Sequence, residues 1–404
     1  MSTRPAVRFL DRTTAPHITT LVLLSGLSAL SMNVFLPSLP GMAAYFQADY
    51  AVMQLSVSAY LAVSAGAQLA VGPISDRYGR RAVVLAALVL FLLATIGTLV
   101  APTAGWFLAF RMAQAVIATT FVLARAVVRD MVPDEQAASM IGYVTMGMSL
   151  APMIGPVIGG SLDEVFGWKA NFALLLLLGL AVTWLTWKDM GETATRGGTP
   201  FAEQLRQYPE LLTSPRFWGY AAAAAGSSGA FFAYLGGAPW VGANVFGLSP
   251  AQLGFYFAAP AVGYALGNFL SGRYSVAMGM DRMILVGGFA TILPLSLSLT
   301  ADLTLPPSPL IFFGAVGVMA VGNGMVLPNA NAGMLSVRPH LAGTASGLGA
   351  ALMIGGGAGL SAVAGALLGP GTGATPLLAL MTLSSAASIV AILMVLRRRR
   401  RLGL

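Results

Sequence analysis

The chain is 404 residues long, 57% of them hydrophobic and only 9% charged, which leaves too little polar surface to cover a soluble globule of this size. Its formal net charge of +8 is scattered over short connecting segments and a tail, so no separate basic domain exists to hold a duplex and no nucleic acid is expected as a partner. Cysteine is absent, which excludes disulfides, thiolate chemistry and cysteine-ligated metal.

Windows of about 20 apolar residues suffice to cross roughly 30 Å of hydrocarbon as a helix, and in chain order the sequence holds twelve. Six fall in residues 1–188, at 18–38, 51–73, 82–101, 105–127, 139–160 and 170–188. Residues 189–215 form a polar cytoplasmic linker, in which Phe201 to Leu212 predicts a short amphipathic helix on the membrane surface. Six more windows, 216–236, 250–272, 283–301, 309–330, 342–365 and 375–396, fill residues 216–404 ahead of a basic tail. The runs are continuous rather than alternating, which argues against strands in lipid. The expected fold is an all-α membrane protein with twelve transmembrane helices in two pseudo-symmetric six-helix bundles. Residues 1–17 are not expected to be a cleaved signal, because the apolar run that follows is of spanning length.

The basic residues fix the expected orientation. Arg4, Arg8 and Arg12 precede span one, Arg77, Arg80 and Arg81 sit between spans two and three, Arg125 and Arg129 close span four, and Arg397 to Arg401 end the chain. These segments all belong to one side, whereas the opposite loops hold only Lys169. An excess of arginine and lysine marks the cytoplasmic side, so a multi-pass protein of a bacterial inner membrane is expected, with both termini inside. The arginine tail also meets anionic headgroups there, which makes membrane lipid an expected partner.

Polar residues inside the spans carry the functional reading. Span one ends Ser31-Met32-Asn33-Val34-Phe35-Leu36-Pro37-Ser38-Leu39-Pro40. At 1.5 Å per residue Asn33 lies about 22 Å from the inner face, near the level of Arg111, and the two are expected to be able to pair. Between spans two and three, Gly72-Pro73-Ile74-Ser75-Asp76-Arg77-Tyr78-Gly79-Arg80-Arg81 reads as a charged loop. Asp76 is placed to face the start of span eleven, where a carboxylate gains about 0.3–1 kcal/mol from the positive end of a helix. Ser271-Gly272-Arg273-Tyr274 repeats the Ser-x-Arg-Tyr of Ser75 to Tyr78 half a chain later, the mark of two similar halves. Arg111, with Gln114 one turn on, is the only charge well inside hydrocarbon. Such a residue costs about 2.5–3.5 kcal/mol on insertion scales and marks a pathway or a partner, with outward snorkelling as the alternative. In span five Pro152 and Pro156 bend the helix, and Gly155 and Gly159 form a small face for close packing.

These segments resemble a known family. Gly72 to Arg81 is similar to the loop signature of the major facilitator superfamily, G-x-L-x-D-R-x-G-R-[KR], with Ile74 in place of leucine. Span five, Ala151-Pro152-Met153-Ile154-Gly155-Pro156-Val157-Ile158-Gly159-Gly160, resembles its antiporter motif G-x-x-x-G-P-x-x-G-G with Ala151 at the first glycine. Arg111 and Gln114 match the Arg-x-x-Gln of its fourth span, with Ala115 where a glycine follows. Span one resembles the bicyclomycin and chloramphenicol resistance branch, Bcr/CflA, whose Asp-x-Tyr-Leu-Pro-Ser-Leu-Pro has its acid where Asn33 stands. Asn323 to Pro328 and Gly343-Thr344-Ala345-Ser346 also have counterparts there.

The resemblance implies a multidrug exporter of amphipathic, phenicol- or bicyclomycin-like antibiotics, a drug:proton antiporter working by alternating access. It implies a conformational switch at Gly72, Asp76, Arg77, Gly79, Arg80 and Arg81 together with Arg125 and Asp130. Asn33 leaves coupling open, because an amide cannot carry a proton. Coupling uses another group (Asp76, Asp130, Asp163, Glu164 and His17 are the candidates), or the chain is an uncoupled facilitator or metabolite transporter, or an acid has been replaced. Asn33, Arg111, Gln114, Tyr60, Phe232, Tyr256, Asn268 and Asn323 are the candidate substrate or coupling residues, with Met146 and Met148 as adaptable apolar surface. No enzyme is expected, since H-E-x-x-H, G-x-S-x-G and a buried carboxylate are all missing from the spans. No cofactor or metal is expected, a proton gradient being the implied energy source, and the expected functional unit is a monomer.

Overall fold

A computed structural model describes residues 7–132, 134–194, 209–338 and 341–401, with side chains at 134–139, 142, 145–150, 342, 343 and 401 left undescribed. Met146, Met148 and most of the predicted linker helix therefore lie outside the described residues. The described chain is helical and contains no strand. The helices are α1 (Ile18–Tyr45), α2 (Tyr50–Tyr78), α3 (Arg80–Val100), α4 (Ala104–Met131), α5 (Asp134–Phe166) and α6 (Lys169–Asp189), followed by α7 (Pro215–Asn244), α8 (Pro250–Met278), α9 (Met280–Thr304), α10 (Pro309–Val337), α11 (Ala342–Leu367) and α12 (Thr375–Arg401).

Ten of these are long and apolar enough to cross a membrane by length and composition. The others are α5, part of which lies among undescribed side chains, and α7. At 30 residues α7 is long enough, but its Ala-, Gly- and Ser-rich first half lowers its hydropathy. Small side chains trade transfer energy for close helix contact. Helix α7 accordingly runs through the middle of the second half, packed on α10, α11 and α12.

The apolar windows underestimate the helices, because backbone bonding continues into the interface after apolar side chains stop. The charged "loop" is the clearest case: Gly72 to Tyr78 form the last turns of α2, and Gly79 alone separates them from α3. Gly79 has φ 93° and ψ 148°, and Gly279, between α8 and α9, has φ 81° and ψ 148°. Only glycine adopts that region without strain. The two sites lie 200 residues apart, which fixes the register of the duplication. Gly272 therefore corresponds to Gly72 and Ser275 to Ser75, the Ser75 carbonyl accepting from the Gly79 N–H and the Ser275 carbonyl from the Gly279 N–H, each at 2.9 Å. The Ser-x-Arg-Tyr echo at Ser271 is one helical turn out of that register. The duplication stands, carried by backbone geometry rather than by the echo.

Proline and polar breaks shape individual helices. Pro37 lies in a 3-10 turn, Leu36–Ser38, that interrupts α1, and a second 3-10 turn, Ala115–Ile117, interrupts α4 just after Gln114. Helices α1 to α6 pack largely on one another, and α7 to α12 do likewise. The two sets meet mainly along α2 with α11 and α5 with α8. The arginine-bearing ends all fall on one side, here the basic end, and the opposite side is the far end.

At the basic end Asp189, fully buried at the close of α6, accepts from the N–H groups of Leu10 (2.7 Å) and His17 (2.8 Å) and from Thr20 Oγ1 (2.6 Å). The Gly191 N–H donates to Thr14 O at 3.0 Å. The segment before α1 is thereby clasped to the segment after α6.

Candidate functional site

The interior of the first half is organised by Arg111. Its side chain is 0% exposed, so it does not snorkel. Nε donates to Ser56 O (3.2 Å), Nη1 to Gln114 Oε1 (2.9 Å) and Ser31 Oγ (3.4 Å), and Nη2 to Ser31 O (2.9 Å). The guanidinium stacks on Tyr60 at 3.9 Å and Phe35 at 4.5 Å from the ring centroids. Gln114 passes the network on, its Nε2 donating to Thr95 Oγ1 at 2.8 Å. A planar fork with five donors ties α1, α2 and α4 together through two backbone carbonyls, a hydroxyl and an amide oxygen. Cation–π contact offsets part of its desolvation.

Asn33 does not join this cluster. Its Nδ2 donates to Ala29 O at 2.7 Å within its own helix, and its Cβ lies on the side facing Gly155 of α5. Two residues after Ser31, it is turned by about 200° around the helix axis, so equal depth did not mean contact. The expected pairing with Arg111 is absent.

Glycines of the span-five motif set two approaches. A Cβ on Gly155 would meet Leu30 Cδ1 at 3.0 Å, and one on Gly159 would meet Val34 O at 1.6 Å, so both face α1. Gly160 faces the other half, its Cβ position lying 2.1 Å from Pro250 O, and Gly254 of α8 sits reciprocally 2.1 Å from Pro156 O. Pro152 and Pro156 lie inside the unbroken α5 beside Ala151, which is buried.

The far end is sealed between the halves. Tyr50 Oη donates to Gly236 O (2.8 Å), and Gln54 Nε2 to both Ser361 O and Ser361 Oγ (2.7 Å each). Gln54 is 1% exposed, seated where Gly236 and Gly365 leave room for it. Glu164 of α5 accepts from Ser249 Oγ (2.8 Å) and the Ala251 N–H (3.1 Å), capping the first turn of α8. Sequence reasoning missed Tyr50, Gln54 and Ser361. Polar groups near the ends of apolar spans were the available signal.

At the basic end the switch residues form a network inside the first half. Arg80 pairs with Asp76 (2.6 Å) and Asp130 (3.1 Å) and donates to Ser75 Oγ. Glu192, just beyond α6, accepts from the N–H groups of Arg80 (2.8 Å) and Arg81 (3.3 Å), capping α3. A Cβ on Gly79 would stand 2.3 Å from Glu192 Oε2. Asp76 thus has a partner on α3 in this conformation, and the side chains at 342 and 343 that would face it on α11 lie outside the described residues. Arg81 Nη2 donates to Trp187 O, Arg77 lies over Tyr78, and Arg125 sits 4.0 Å over Phe121 rather than in the Arg80 network. Gly72 has open space around its Cβ position.

The remaining substrate candidates have different neighbours. Tyr60 belongs to the Arg111 cluster. Tyr256 stacks on Phe313 at 4.7 Å, Asn268 donates to Tyr264 O at 2.9 Å within α8, and Asn323 accepts from Ser227 between α10 and α7. Phe232 of α7 lies against Gly357 of α11.

Two helical sets related by an internal repeat, joined at one end, with a buried arginine core and glycine-lined crossings, define a two-bundle membrane transporter. Residues 21–362 match the Major Facilitator Superfamily. Multidrug resistance protein D of Escherichia coli is 30% identical over 374 residues, covering 90% of this chain and 91% of that protein. A chloramphenicol resistance protein of Pseudomonas aeruginosa is 27% identical (79% and 76% covered), and a bicyclomycin resistance protein homolog of Haemophilus influenzae 28% (84% and 86%). The chain belongs to the major facilitator superfamily, in the Bcr/CflA drug-efflux branch. The fold agrees with the D-xylose-proton symporter (TM-score 0.72, 14% identity, 94% and 96% covered). It also agrees with a bacterial homolog of the human lysosomal transporter Spinster in an inward-facing, occupied conformation (0.69, 18%, 94% of each chain).

Proposed function

We propose that the protein exports amphipathic, largely uncharged antibiotics of phenicol or bicyclomycin type across a bacterial inner membrane, by alternating access between two six-span halves. The observation that carries this reading is the far-end seal. Tyr50, Gln54 and Glu164 bond across the halves at one end, while the Arg80 network at the other stays within its own half. A seal built from a few hydrogen bonds at glycine-lined crossings is strong enough to close and weak enough to open. With the arginine-rich end cytoplasmic, as the positive-inside rule expects, this is the state that takes cargo from inside. Cargo identity rests on the resistance proteins to which the chain is similar. Proton antiport, twelve spans and a monomeric unit are parts of the same proposal.

A second reading, an uncoupled facilitator, is favoured by Asn33, whose amide is committed to Ala29 O where the branch has an acid. Transport in everted vesicles with and without an imposed pH gradient separates the two. Accumulation of chloramphenicol against its gradient only when the gradient is imposed supports antiport. Equilibration that ignores the gradient supports the facilitator, and no movement of any phenicol or bicyclomycin refutes both.

A further inference from the structure

A cavity lies away from the substrate path, on the outside of the second half at its basic end. About 550 Å³ in volume, it is bounded by Trp218, Gly219 and Ala222 of α7 and by Ala391, Met394 and Arg398 of α12. We propose that this groove binds one anionic phospholipid of the cytoplasmic leaflet, with an acyl chain between α7 and α12 and the phosphate on Arg398. The assignment rests on the basic end being cytoplasmic but not on what the protein exports.

The groove exists because the helices cross on small residues. A Cβ on Gly219 would stand 2.2 Å from Val395 Cγ2, and Ala222 and Ala391 leave a trough beside the crossing. Its walls are mainly apolar, with Thr213 and Arg398 the polar members, and Met394 and Trp218 on its rim are 61% and 43% exposed. In a spanning protein such a trough opens onto hydrocarbon. The Trp218 ring is fixed by its Nε1–H donating to Leu212 O at 2.8 Å, at the level where a span meets the headgroups and tryptophan is favoured.

The charge at the mouth selects the occupant. Arg399 turns inward to an ion pair with Asp281, whose other oxygen accepts from Tyr220 Oη at 2.7 Å. Successive helical residues point about 100° apart, so anchoring Arg399 directs Arg398 toward the groove. Arg398 has no ion-pair partner among the described residues, and Arg397 and Arg400 flank it. A guanidinium without a carboxylate, beside an apolar trough at the headgroup level, matches a phosphodiester with an acyl chain attached. A zwitterionic lipid brings an ammonium group into the same arginine cluster and is disfavoured.

Native mass spectrometry of the full-length protein, delipidated and then incubated with phosphatidylglycerol or phosphatidylcholine of identical chains, tests the assignment. One phosphatidylglycerol is expected to be retained about tenfold better than phosphatidylcholine, the scale of one charge-assisted contact. Arg398→Gln is expected to abolish that preference, Arg398→Lys to keep most of it, and Arg273→Gln, at the basic end of α8, to leave it intact. Equal retention of the two lipids, or undiminished preference in R398Q, overturns the proposal. Equal loss in R273Q and R398Q also overturns it, by assigning the effect to diffuse surface charge.

Discussion

Replacing Gln54 by leucine should pry open the far end. The substitution keeps roughly the volume of the side chain but deletes two hydrogen bonds of 2.7 Å to Ser361 that exist only while the halves are closed. In the open state Gln54 exchanges them for water. A net 0.5–1.5 kcal/mol per bond gives about 1–3 kcal/mol against the closed state, or a shift of about 5- to 150-fold in the conformational equilibrium. The chain has no cysteine, so spin labels on V165C, in the last turn of α5, and L305C, the residue that follows α9, both exposed at the far end, report the separation of the halves without background. Double electron–electron resonance should show a longer-distance population in Q54L. Gly236→Ala, whose Cβ would crowd Gln54 Nε2 at 2.6 Å and Ser361 Oγ at 2.5 Å, should shift it the same way. Distance distributions in both variants that match the parent would refute the idea that this contact holds the far end shut.

Gly79→Ala and Gly279→Ala impose the same backbone penalty, about 1–3 kcal/mol for that φ/ψ region. Only G79A also displaces Glu192, so G79A should lower the detergent melting temperature more than G279A; equal losses would remove Glu192 from the account. Arg111→Lys keeps the charge but cannot serve Ser56, Ser31 and Gln114 at once. A loss of about 1.5–3 kcal/mol is expected, read as an earlier thermal unfolding transition, and an unchanged transition would mean the arginine fork does not hold α1, α2 and α4 together. Asn33→Asp should make chloramphenicol efflux from vesicles more dependent on an imposed pH gradient. If N33D and the parent respond identically, energy enters elsewhere in the protein.

The positions of the helices were legible because burial in lipid leaves a one-dimensional trace, a run of apolar residues of fixed length. Their ends were less legible, since hydrogen bonding carries α2 through Asp76 and Tyr78 after the apolar signal has stopped. Arg111 was legible as an intramembrane charge that needs partners, with Gln114 one turn on, although outward snorkelling was also an open reading of its depth. Its actual acceptors, Ser31 O and Ser56 O, are backbone groups that no side-chain pattern displays. Depth placed Asn33 beside Arg111, but rotation around α1 separates them, and rotation is set by packing against α5. Glu192 was missed for a related reason: what makes it a cap is the left-handed turn at Gly79, more than a hundred residues earlier in the chain.

The clasp at Asp189 has a consequence for biosynthesis. Three groups from the first twenty residues wait on a carboxylate that emerges from the ribosome only after the sixth helix. Until then the Leu10 and His17 N–H groups and the Thr20 hydroxyl lack the partner they have in the folded protein. The clasp on the leading segment therefore cannot close until the last residue of α6 has been made.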